Sequence, residues 1–151
     1  MPIPNIQAIL ASDAQIGGNR TETEVAKAWL RTHWQEWDRV EFNVGLGPGL
    51  QLGPSVPAWV QKSATASTKP RADMILHRPG AVAIVEVKGR IGPSVMGQLL
   101  TYWHIFAEDH PDVHQVYKIA AGASIQEGQQ AILERYGISV ELFQIPTPAQ
   151  T

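Results

Sequence analysis

The chain has 151 residues and a mass of 16.5 kDa, room for one ordinary domain. It contains no cysteine, which excludes disulfide scaffolds, thiolate metal sites and cysteine nucleophiles. A net charge of −2 and an apolar fraction of 44% exclude a wholly basic nucleic-acid coat and a disordered tail.

The opening Met1-Pro2-Ile3-Pro4-Asn5 lacks the basic start of a secretory signal, and no apolar run approaches the ~20 residues that span a bilayer. A single cytoplasmic domain over 1–151, with no membrane partner, is the expectation. Gly17-Gly18-Asn19 breaks the chain before a helix expected from Thr21 to about Trp37. Thr21 and Glu24 stand at capping-box spacing. Glu22 falls in the middle of the apolar face made by Val25, Ala26 and Trp29, whereas Glu24 points about 200° away and suits the capping role. A carboxylate on a core-facing stripe needs a partner.

Arg39 to Leu46 alternates Val40, Phe42, Val44 and Leu46 with other residues and predicts a strand. Gly47-Pro48-Gly49 predicts a turn, with Leu50 to Leu52 returning as a partner strand. The prolines and small polar residues from Gly53 to Pro70 predict a long loop of the functional or mobile kind, with Trp59 placed to pin its middle. Arg71 to Leu76 and Ala81 to Lys88 read as strands joined by the turn His77-Arg78-Pro79-Gly80. A helix follows from Ser94 to about Glu108, apolar nearly all round, so it should lie deep against a sheet with Trp103, like Trp29, in the core. Val113 to Ala121 predicts a strand, Ile125 to Tyr136 a helix ended by Gly137, and Ile138 to Ile145 a last strand. This order defines an α/β protein with a mixed β-sheet flanked by α-helices.

The chemistry concentrates in the paired strands. Glu86 and Lys88 share one face of Ile84-Val85-Glu86-Val87-Lys88, leaving Val85 and Val87 to face the core. Antiparallel pairing about the turn brings Asp73 beside Glu86. Two adjacent carboxylates repel unless a cation lies between them, and hard oxygen ligands suit magnesium or manganese. Residues 62–90 also hold Lys62, Lys69, Arg71, Arg78, Lys88 and Arg90 against only Asp73 and Glu86, a local +4. A basic field of that kind suits a polyanion such as DNA.

Asp73, followed after a hairpin by Glu86-Val87-Lys88, resembles the active-site signature of the PD-(D/E)XK nuclease superfamily. Gln98 and Tyr102, four residues apart on the next helix, resemble the Gln-x-x-x-Tyr element of its RecB-like branch. Gly18 and Glu22 match the spacing of the family's helical glutamate. The proline that names the motif is displaced here to Pro70, three residues before Asp73. The resemblance covers about residues 18–121.

It implies the restriction-endonuclease-like fold, an αβββαβ core, here with an extra C-terminal αβ unit. It also implies Mg2+ or Mn2+ held by Asp73, Glu86 and the carbonyl of Val87. Lys88 would orient the attacking water, Glu22 and Gln98 would orient the outer shell of the metal, and Tyr102 would flank them. Arg71, Arg78 and Arg90 would contact the nucleic-acid backbone. The implied reaction is phosphodiester hydrolysis, most naturally of DNA, by a homodimer or a subunit of a larger complex. The alternative is a non-catalytic nucleic-acid-binding or assembly module that retains the fold. A histidine metal site at His104, His110 and His114 is disfavoured by Pro111, which breaks a regular helix across the last two.

Overall fold

The computed structural model describes residues 2–47, 53–62 and 70–146. Its elements are α1 (Ile6–Ala11), α2 (Arg20–His33) with a 3-10 turn at Trp34–Glu36, β1 (Arg39–Gly45), β2 (Arg71–Arg78) and β3 (Ala81–Ile91). After these come α3 (Ser94–Asp109), β4 (Gln115–Ile125), α4 (Gln129–Arg135) and β5 (Ile138–Leu142). The five strands form one sheet in sequence order. β1, β2 and β3 pair antiparallel, while β4 and β5 run parallel to β3. The mixed sheet flanked by helices is the α/β architecture expected from the order of elements.

The start of α2 differs in detail. Asn19, not Thr21, is the N-cap: its side-chain oxygen accepts from the Glu22 amide at 2.9 Å. Glu22 answers by accepting from Asn19 Nδ2 at 2.8 Å and the Gly18 amide at 3.0 Å. The capping acid is therefore Glu22 and not Glu24. The buried Thr23 hydroxyl fixes this choice by accepting from Ile16 N and donating to the Ile16 carbonyl. The helix also stops at His33, short of Trp37, which turns extended and buries its ring. The short α1 was not legible from periodicity; it seats Ile6 in the core.

β3 is covered on both faces, so its core side is not limited to Val85 and Val87. Those two join Val25, Trp29 and Leu30 of α2 in one cluster. Val82 and Ile84 join Val95, Leu99, Tyr102 and Phe106 of α3 in the other. α3 buries only that stripe, and Trp103 on its flank is 40% exposed, contrary to the core position expected for it. β4 persists to Ile125 because the long β3 continues beside it to Ile91, and the left-handed Gly128 then opens α4.

Trp59 sits on a short helical turn at 58–62 and is 74% exposed, outside both core clusters of the described residues. The strand expected at Leu50 to Leu52, most of the turn before it, and residues 63–69 lie outside the described residues. Among those described, no helix is long and apolar enough to cross a membrane.

Candidate active site

The β2–β3 ladder runs from Arg78 opposite Ala81 to Met74 opposite Val85, and there it ends. One step further, Asp73 and Glu86 meet. The Asp73 carboxylate (Oδ2) accepts the Val87 amide at 2.8 Å, taking a donor that the neighbouring main chain would otherwise hold. Glu86 is only 2% exposed and faces α3. Burial pushes its pKa far above the carboxylate range, and hydrogen bonding and charge from Asp73 push it further. The Lys88 ammonium and the Tyr102 hydroxyl oppose that rise. Burial and the Glu86 charge in turn hold the Tyr102 hydroxyl firmly protonated.

α3 supplies the roof. Val95, Leu99, Tyr102 and Phe106 repeat at helical spacing and fix the face that carries Tyr102 over Glu86. Gln98, one turn earlier, hydrogen-bonds Tyr102. Its Oε1 is buried without a hydrogen-bond partner among the described residues. Asp73, Glu86, Gln98 and Tyr102 are thus brought together, with Lys88 two residues along the same face of β3.

Glu22 is placed differently. It lies on the α2 side of β3, against Val87, with its two oxygens engaged by Gly18 and Asn19. Gly17 is wedged between them: a Cβ there would come within 3.0 Å of both Glu22 Oε1 and Val87 Cγ2. Arg71 and Arg90 are exposed at the carboxylate end of their strands. Arg78 is at the opposite end, roughly 17 Å along β2 from Asp73. Its guanidinium lies 4.4 Å from the Trp37 ring centroid and lines a cavity of about 360 Å³ with His33, Tyr117 and Glu141, away from the paired carboxylates.

The donor set fits a hard divalent cation. Among the described residues no group of three His, Asp or Glu side chains is arranged to hold a metal ion, so a metal at this end of the sheet would have the two carboxylates Asp73 and Glu86 and would need water for the rest. That is the ligand economy of magnesium, which keeps several waters. The orphaned Gln98 Oε1 offers an acceptor to one of them. The histidines build no rival site: His110 stacks on Phe106 and contacts its carbonyl at 3.1 Å, and His104 pairs with Glu108.

Asn43, level with Asp73 on β1, has φ 51°, the only left-handed non-glycine among the described residues. Its sole sequence signal is an asparagine, which tolerates that conformation, inside an alternating apolar strand.

No protein family and no curated protein matches the sequence. Solved structures do match the fold. A repair endonuclease from Pyrococcus abyssi aligns with a TM-score of 0.50 and 18% identity, over 88% of this chain and 50% of that one. EndoMS in a double-stranded DNA complex gives 0.50 and 17%, over 91% and 50%. EndoMS in its apo form gives 0.50 and 20%, over 87% and 49%. The chain spans about half the length of each, and at these identities the likeness establishes a shared fold. That fold is shared with a repair endonuclease and with EndoMS, one structure of which is a complex with double-stranded DNA.

Proposed function

We propose that the protein is a metal-dependent nuclease of the PD-(D/E)XK type that hydrolyses phosphodiester bonds in DNA. The observation that carries the reading is the buried Glu86 against the half-buried Asp73, set at the end of a ladder with Lys88 beside them. DNA is favoured by the basic 62–90 segment and by the repair endonucleases that share the fold. Gln98 and Tyr102 over the carboxylates support the RecB-like branch.

Bound at Asp73, Glu86 and the Val87 carbonyl, Mg2+ or Mn2+ would supply a Lewis acid that activates water and neutralises phosphate charge. The protein's own groups do the rest. The Val87 amide anchors Asp73 in one orientation, and the Tyr102 hydroxyl does the same for Glu86. Lys88 places its ammonium at the attacked phosphate, where it orients water and stabilises developing negative charge. The buried Gln98 Oε1 would accept from a water in the outer shell of the metal. Glu22, to which the resemblance gives a place in the outer shell of the metal, holds the Gly17–Gly18 turn against Val87 and acts on the site through that turn. Arg71 and Arg90 flank the entrance and contact the backbone, and Arg78 serves packing at the far end.

The test is cleavage of labelled single-stranded, duplex and branched DNA in Mg2+ or Mn2+, with a chelator control. Wild type is expected to cut only with metal, and Glu86→Ala and Lys88→Ala to lose about 100-fold or more. Equal cutting by the variants would overturn the site. No cleavage together with no divalent-metal binding would favour a binding module that keeps only the fold. A single site cuts one strand, so the oligomeric state measured in the same buffer distinguishes a homodimer that cuts both strands from a monomer that nicks.

A further inference from the structure

We infer that Asn43 is a positioning residue for the carboxylate pair, because its left-handed backbone opens the sheet opposite Asp73 and lets that carboxylate turn onto the Val87 amide. The effect on metal binding rests on the function proposed above; the effect on the Asp73–Val87 contact does not.

The β1–β2 register is the same on both sides of this point. Phe42 pairs with Met74 and Val44 with Ala72, with no inserted residue, yet Asn43 and Asp73 between them do not pair. Both strands change face there. Val40 and Phe42 pack with the α2-side cluster, as do Met74 and Leu76. Val44 and Leu46 pack with the α3-side cluster, as does Ala72. Residues two apart on a regular strand share a face, so each chain has rotated across 43 and 73.

That rotation is what the Asp73 contact requires. In a regular sheet, side chains stand perpendicular to the plane while amides point within it at the neighbouring strand. A regular Asp73 would project away from the Val87 amide. Continued at the same register, the β2–β3 ladder would set Ala72 opposite Val87; instead the ladder stops and Asp73 takes the amide. The Asn43 peptide is accounted for as well. Its carbonyl accepts from Arg71 Nη1 at 3.2 Å, a side-chain partner in place of one from the ladder. A β-branched residue does not adopt φ near +50°, whereas asparagine tolerates it and glycine adopts it freely.

The experiment compares Asn43→Gly, Asn43→Ala and Asn43→Val by the amide resonance and hydrogen exchange of Val87, with Mn2+ affinity measured separately. Glycine keeps the conformation and is expected to keep the Val87 shift, its slow exchange and the wild-type Mn2+ affinity. Valine is expected to speed Val87 exchange by about tenfold or more, the loss of one charge-assisted hydrogen bond, and to weaken Mn2+ by a similar factor. Alanine should fall between and serves if the valine variant does not fold. An unchanged Val87 amide in folded Asn43→Val or Asn43→Ala overturns the inference, and so does its loss in Asn43→Gly. If wild type binds no Mn2+, the proposed function fails while the amide comparison still decides the role of Asn43.

Discussion

Glu86 carries the site because its surroundings hold it away from its preferred state in water. A carboxylate at 2% exposure, against a second carboxylate, stays ionised only if positive charge is supplied. Without metal, the folded protein keeps a proton on Glu86 well above the ordinary carboxylate range. Its pKa is raised from 4.5 to about 9, so folding takes up that proton above the unfolded value. The resulting stability is full below pH 4.5 and is lost as pH rises towards the folded value. We expect the urea midpoint of metal-free protein to fall from about pH 5 to pH 8. Glu86→Gln should flatten that dependence and be the more stable protein at the upper end, while losing cleavage. A midpoint that is level with pH in wild type would contradict the burial of Glu86 against Asp73.

Elements place these residues through their ends. The Asn19–Glu22 box starts α2 and presses the Gly17 turn on Val87, so Asn19→Ala should cost about 1 kcal/mol in denaturant unfolding. The other end of α2 is tied to β5 by His33, whose ring nitrogens meet Glu36 and Glu141 at 2.5 and 2.6 Å. Burial lowers the His33 pKa, and the hydrogen bonds and charges of the two acids outweigh it, leaving a net rise from 6.5. The clasp therefore stabilises fully below pH 6.5 and loosens as pH climbs through the raised value. His33→Gln should cost more stability at pH 6 than at pH 9; an equal cost at both would assign the clasp to packing alone.

The β2–β3 hairpin was legible because the apolar runs Met74-Ile75-Leu76 and Ala81 to Val85 bracket a turn and isolate Asp73, Glu86 and Lys88. The capping residue was not, since Asn19…Glu22 and Thr21…Glu24 have identical spacing and only the Thr23–Ile16 contacts choose between them. Six-residue α1, without a side-chain cap, is too short to show a period. Trp103 was misplaced because an apolar surround in sequence does not say which stripe a one-sided helix buries.

At the scale of the whole molecule, two cores clamp one sheet, and the candidate site lies where β2 and β3 part. Trp29, fully buried in the α2-side core, should cost about 3–5 kcal/mol when cut to alanine without abolishing metal binding in the protein that remains folded. Metal should act on the fold as well as on the chemistry. Mn2+ at 100 times its dissociation constant should stabilise wild type by about 2.7 kcal/mol and leave Glu86→Gln unmoved. The most direct test of the central claim is an anomalous difference map from a crystal soaked in Mn2+. The expected result is a peak between the Asp73 and Glu86 carboxylates, in contact with the Val87 carbonyl and below Gln98. Ordered manganese elsewhere, with the two carboxylates bare, would contradict it.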